Sequence, residues 1–133
     1  MTEEAVEIAT AIPYHADKDR FLLAKRTGET DIQPGKWDFP GGSIEDEKPR
    51  KAAVRELREE TGLVGKAIRS GDPFIVDNED GRFNVHPVLV LVDEEPELNP
   101  EHTDYEWIKT RDLEKFETVE GLKEDLERVG VLE

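Results

Sequence analysis

The sequence predicts an α/β sandwich with a mixed β-sheet. Three observations carry that prediction. Strand-like runs alternate with turn signals, two segments place apolar residues at helical spacing, and Arg82–Asp93 is a near-continuous apolar run of the kind a central strand shows. The 133 residues hold no Gly/Ser linker, repeat or low-complexity tract, so a single domain over residues 1–133 is expected.

In chain order, Val6–Tyr14 reads as a strand, His15–Asp19 as a turn and Arg20–Lys25 as the returning strand, with Phe21, Leu22 and Leu23 inside it. Thr27–Gly35 is a polar loop, and Lys36–Gly42 (KWDFPGG) is short, aromatic and Gly-rich. Pro49–Thr61 reads as a helix, with Pro at its start and Gly62 just past its end. Ala52, Ala53 and Leu57, with Val54, supply its apolar side. Leu63–Arg69 and Pro73–Val76 are short strands, and Asp77–Gly81 is a turn. Pro87, inside the long apolar run, calls for a bulge or an edge there. Asp93–Asp104 is an acidic loop, Tyr105–Lys109 a short strand, and Val119–Val129 a second helix with Leu122, Leu126 and Val129 on one side.

Composition excludes several functions. Thirty-three Asp and Glu against 18 Lys and Arg give a net charge of -15. Such a surface repels nucleic-acid polymers and anionic membranes. No stretch reaches the roughly 18 apolar residues of a membrane span. The opening MTEEAVEIAT has no basic flank or apolar core, so it is not read as a signal peptide and a cytoplasmic location is the default. Without cysteine there are no disulfides, thiolate metal sites or cysteine nucleophiles. The charge excess reads either as a solubility device for high salt, as in a halophile, or as plain acidic bias.

The sharpest chemical feature lies on the first predicted helix. Glu56 and Glu60 are four residues apart and share a face, which Glu59 joins. Three neighbouring carboxylates repel one another, and a hard divalent cation such as Mg²⁺ or Mn²⁺ relieves that cost. Taken alone, in so acidic a chain, this helix face reads more readily as solvated surface. Gly41 and Gly42 precede it, where backbone can approach a ligand closely. Glu47 stands near the helix start, where it can meet the dipole or pair with Arg55.

Gly41, five residues, Glu47, seven residues, then Arg55-Glu56-Leu57, any residue, Glu59-Glu60, any residue, Gly62-Leu63 resembles the complete signature of the Nudix hydrolases. The resemblance implies an α/β/α sandwich and a metal-dependent hydrolase acting on nucleoside diphosphates linked to another group. It implies Glu56, Glu59 and Glu60 as metal carboxylates, the Gly41 carbonyl as a backbone ligand, Arg55 as their orienting cation through Glu47 or Glu59, and Mg²⁺ or Mn²⁺ as cofactor. It places the general base either on the signature helix, at Glu56 or Glu59, or in a late loop. There Glu101, six residues before Trp107, is the candidate, and Glu97, Asp104 and Glu106 are its rivals.

Arg26, Phe39, Gly42 and His102 are candidate substrate contacts, and Glu47 and Gly62 structural supports. Trp37 and Phe39 read as core or as base-stacking residues, and Trp107 as packing beside the helix. His86 reads as a packed histidine, and His15 lies in a turn. The expected partner is a small-molecule nucleotide, and the chain is expected to be a monomer or homodimer. Compact size leans toward a nucleoside triphosphate or a dinucleoside polyphosphate. A nucleotide sugar is an alternative substrate, and a catalytically silent nucleotide-binding module an alternative class.

Overall fold

The computed structural model describes residues 4–132, so residues 1–3 of the N-terminal reading, and the last residue of the proposed single domain, lie outside it. Ten-residue β1 (Val6–His15) is the axis of the sheet. It runs parallel to β7 (Gly81–Val92) and antiparallel to β2 (Arg20–Arg26) and β4 (Gly41–Ser43). β3 (Trp37–Asp38) and β8 (His102–Ile108) pair with β2, while β5 (Lys66–Ser70) and β6 (Phe74–Asn78) pair with β7. With one parallel pair among antiparallel ones, the sheet is mixed.

Strand alternation divides the core between two faces. Ala9, Ala11, Leu22, Val88 and Val90 meet Ala52, Ala53 and Leu57 of α1 (Pro49–Thr61) on one face. Ile12, Leu23 and Leu89 meet Leu122 and Leu126 of α2 (Leu122–Arg128) on the other. This is an α/β/α sandwich. The alanines on both sides of the first interface bring α1 close to the sheet, and Glu60 and Glu56 meet the backbone of Gly41 and Gly42 in β4.

Pro49 opens α1, and Gly62, at φ 72°, closes it with its N–H on the Arg58 carbonyl at 2.8 Å. Pro87 is accommodated without distorting β7. On its open side β6 pairs only as far as Val85 and β5 resumes at Val88, so no ladder donor is needed there.

Several boundaries differ from expectation. Gly41 and Gly42, given no strand in the sequence reading, lie in β4. β5 begins at Lys66, three residues late, because the left-handed turn at Gly62 feeds a short connection. β8 begins at His102, taking Asp104 out of the predicted loop. Val119 and Glu120 are outside α2, because Val119 N–H bonds Trp37 O and Gly121 turns at φ 92°. A short 3-10 turn, Thr110–Lys115, was not anticipated. No helix among the described residues is long and apolar enough to cross a membrane.

Candidate active site

The late loop is fastened to the end of α1. The amides of Glu97 and Asn99 donate to the carbonyls of Thr61 and Glu60 at 2.7 and 3.0 Å, using acceptors the helix leaves free. The Asn99 side chain then accepts the Glu101 amide, and Thr27 N–H bonds the Glu101 carbonyl. These bonds bring Glu101 to the signature helix. Its carboxylate, that of Glu60 and a ring nitrogen of His102 present donor atoms within 4.8 Å of one another.

Glu60 is the most buried of the helix glutamates, its side chain 4% exposed. Its Oε2 accepts the N–H of Gly41 at 2.9 Å. Burial, followed by the nearby Asp38, Glu101 and Glu56, pushes the Glu60 carboxyl up to about 10, and the Gly41 N–H opposes the rise. Glu56 is half-buried and is raised chiefly by burial, with Arg55 opposing. A Cβ added at Gly41 would come within 2.5 Å of the Ala9 carbonyl, so that position requires glycine, and one at Gly42 would come within 2.6 Å of the Glu56 carboxyl and push that side chain aside. Glu59 points outward, its side chain 56% exposed.

Arg55 gathers these groups. It donates to Glu47 at 2.6 Å, to Glu56 at 3.0 Å, to Glu59 at 3.3 Å and to the Ser43 carbonyl at 3.2 Å. Glu47 holds the guanidinium proton most strongly, and Arg55 in turn lowers the Glu47 carboxyl.

The donor set fits a hard divalent cation. The Glu60 and Glu101 carboxyls lie within 4.8 Å of one another and Glu56 is near enough to raise Glu60, so their mutual repulsion calls for positive charge, and His102 Nδ1 behind them is buried without a hydrogen-bond partner. The contact of Gly41 in this arrangement is made by its N–H.

Beside this cluster lies an open pocket of about 290 Å³, walled by Gly41, Gly42, Arg26, Phe39, Phe74 and Asp125 among others. Phe39 is both core and wall. Arg26 is held by Asp38 at 2.9 Å and by the Ile32 carbonyl. His102, expected as a substrate contact, does not reach the pocket. Its side chain is 0% exposed, and its Nε2 lies 2.8 Å from Asp38, so the ring sits behind Glu60 and not in the cleft. Glu97, Asp104 and Glu106 are exposed, and none belongs to the convergent group. Trp107 packs at the α1 face and donates to Glu95; His15 is buried edge-on against it, and His86 bonds Glu7.

Two functional candidates escaped sequence reasoning. Asp38 is buried and joins Arg26 to His102. Asp125 is buried with Oδ1 unpartnered, and burial, then Glu124, raises its carboxyl well above the ordinary range. Asp125 was legible as an acid on the apolar stripe of Leu122, Leu126 and Val129. Asp38 carried no comparable signal.

Known proteins resemble this chain over most of its length. The NUDIX domain profile matches residues 6–128. Nucleoside triphosphatase NudI of Escherichia coli O139:H28 is 30% identical over 125 residues, covering 84% of this chain and 89% of its own. CTP pyrophosphohydrolase of Escherichia coli K12 is 44% identical over 70 residues, 49% of each chain. The solved E. coli ORF135 protein superimposes with a TM-score of 0.73 at 26% identity, covering 94% of this chain and 88% of that one.

Proposed function

The chain belongs to the Nudix family, and on that premise we propose that it hydrolyses the pyrophosphate linkage of a nucleoside triphosphate with Mg²⁺ or Mn²⁺ as cofactor. Nudix hydrolases split pyrophosphate linkages in nucleotide derivatives, and the relatives named nucleoside triphosphatase and CTP pyrophosphohydrolase lie within that class. One observation supports the reading for this chain: Gly41 and Gly42, which line the pocket beside Phe39 and Phe74, lie against the Glu60 and Glu56 carboxyls on their other side.

Glu56 and Glu60 would hold the cation. When bound, it supplies charge neutralisation of the phosphates and a lowered pKa for bound water. The remaining work falls to side chains. Arg55 fixes Glu56 in place, and Gly42 lets the Glu56 carboxyl lie close against the backbone. Glu101, exposed at the edge of the cluster, is a proton acceptor for the attacking water or a further ligand, and Glu56 is the helix alternative. Arg26 offers its guanidinium to the substrate, and Phe39 an apolar wall to the base.

The pocket volume, about 290 Å³, lies just below the ~300–1,000 Å³ usual for ligand sites, which favours one nucleoside over two. The free oxygen of Asp125 gives that pocket a hydrogen-bonding group for a base edge. The test is a nucleotide panel assayed with Mg²⁺ and Mn²⁺ for phosphate, pyrophosphate and product mass. Turnover of nucleoside triphosphates, abolished by chelation, is expected. Full activity after exhaustive chelation, or turnover confined to dinucleotides and nucleotide sugars, sinks the proposal.

A further inference from the structure

Three strands bring three polar side chains to one face of the sheet. Arg26 of β2 is the register partner of His102 in β8, and Ala24, two residues earlier on the same face, is the partner of Asp38 in β3. The side chains join in series. Arg26 Nη1 donates to Asp38 Oδ2 at 2.9 Å, and His102 Nε2 meets Asp38 Oδ1 at 2.8 Å. Because the carboxylate accepts at Nε2, the ring proton resides there and Nδ1 carries a lone pair.

That Nδ1 is fully buried, has no hydrogen-bond partner, and lies 3.8 Å from Glu60 Oε1. An unsatisfied buried nitrogen costs about 1–3 kcal/mol, so its placement needs a reason. A histidine present only to fill space would be served equally by an apolar residue. The Gly41 N–H already holds Oε2 of Glu60 from the other side. The ring therefore limits the one carboxyl oxygen that the backbone leaves free.

We propose that His102 is a positioning residue for Glu60. Arg26, Asp38 and His102 together form a buried brace that runs from the wall of the substrate cleft to the back of that carboxyl. Asp38 fixes the ring and its tautomer. The ring confines Glu60 to the rotamer that faces Glu56 and Glu101. Arg26 stands at the cleft end, so a phosphate that engages its guanidinium acts on the same brace. The inference rests on the reading of Glu60 as a metal carboxylate and adds a supporting partner to it. Partners behind a ligand typically change metal affinity or activity by about 10–100-fold when removed.

The test is Mn²⁺ binding to the metal-free full chain, followed by loss of the free-ion electron paramagnetic resonance signal. No turnover is needed. His102→Gln keeps a polar group opposite Asp38 but removes Nδ1, and His102→Asn keeps an acceptor near the Nδ1 position. His102→Gln should weaken Mn²⁺ binding about 10–100-fold, with melting in chelator within a few degrees of the parent, and His102→Asn should recover part of the loss. Parental Mn²⁺ affinity in His102→Gln overturns the proposal, as does the absence of any recovery in His102→Asn. Glu60→Gln is the control for the underlying reading. If it binds Mn²⁺ normally, the metal role of Glu60 fails; if it loses binding and His102→Gln does not, only the brace fails. Two measurements need no variant. Nitrogen NMR of the metal-free protein should find the His102 proton on Nε2, and a proton on Nδ1 overturns the proposal. Histidine nitrogen coupling to bound Mn²⁺ would also overturn it, by making His102 a ligand.

Discussion

The backbone N–H of Gly41 donates to Oε2 of Glu60 at 2.9 Å, tying the first residue of the signature to its most buried carboxyl. That bond does not require an ionised acceptor. Glu60 is pushed up to about 10, so without a cation it is neutral at pH 7 while the unfolded chain ionises near 4.5. For an acid raised on folding, the folded state binds more protons. Stability is therefore fully present below pH 4.5 and is lost as pH rises toward 10, by at most about 1.4 kcal/mol per unit. Glu60→Gln keeps an acceptor for Gly41 and removes this loss. In chelator its melting temperature should match the parent near pH 4.5 and exceed it by a growing margin toward pH 8. A fall of many degrees throughout would make Glu60 a structural residue.

The close approach of Gly42 to Glu56 gives a second test. A methyl group there would stand 2.6 Å from the carboxyl carbon, closer than atoms tolerate, and the flexible side chain is what would yield. Gly42→Ala should leave the fold intact and displace Glu56 from Arg55. Misplacement by about 1 Å can cost about 100-fold in rate. Circular dichroism and kcat on the same sample check this. Undiminished kcat in Gly42→Ala would show that Glu56 need not hold its position.

How much of this site was readable from sequence depends on the range of the forces involved. The bounds of α1 followed from Pro49 and Gly62 because caps act within one turn. The start of β8 did not, since His102, Thr103 and Asp104 are polar and are held extended by pairing with β2 far away in sequence. The glutamates of the signature were legible as a spacing. Their unequal roles were not, because only the packed helix shows Glu60 buried and Glu59 in solvent. Asp38 was invisible because one of its partners lies 64 residues away.

Net charge predicts a salt response. With 33 acidic against 18 basic residues, self-repulsion opposes folding at low ionic strength. The Debye length falls from about 30 Å at 0.01 M to about 3 Å at 1 M, so KCl screens nearly all of it. The melting temperature should rise between 0.01 and 1 M KCl and stay high at 2 M. A flat curve would remove net charge as a limit on stability, and with it the high-salt reading of the composition.

Asp125 sets stability against binding. Its Oδ1 is buried and unpartnered in the wall of the pocket, which costs about 1–3 kcal/mol in the empty protein. Asp125→Leu removes that cost at similar volume, so the variant should melt higher. If the carboxyl pairs with the base, the same variant should raise KM for nucleoside triphosphates while changing kcat little. A higher melting temperature with unchanged KM would make Asp125 a stability defect with no part in recognition.

The late-loop carboxylate can be separated from its rivals by kinetics. Glu101 converges with Glu60, whereas Glu97, Asp104 and Glu106 are exposed and outside the convergent group. Loss of a general base typically lowers kcat by about 10²- to 10⁴-fold, and loss of a surface carboxylate changes little. Glu101→Gln should therefore be slow, and Glu97→Gln, Asp104→Asn and Glu106→Gln near normal, with KM held in all four. A Mg²⁺ titration then divides the two roles open to Glu101. A lost ligand moves the midpoint to higher Mg²⁺ and restores the plateau, while a lost base leaves the midpoint and lowers the plateau. The same titration on Glu56→Gln applies that division to the helix. Near-normal kinetics in Glu101→Gln would remove the loop from the chemistry and leave Glu56, half-buried and raised by that burial, as the base.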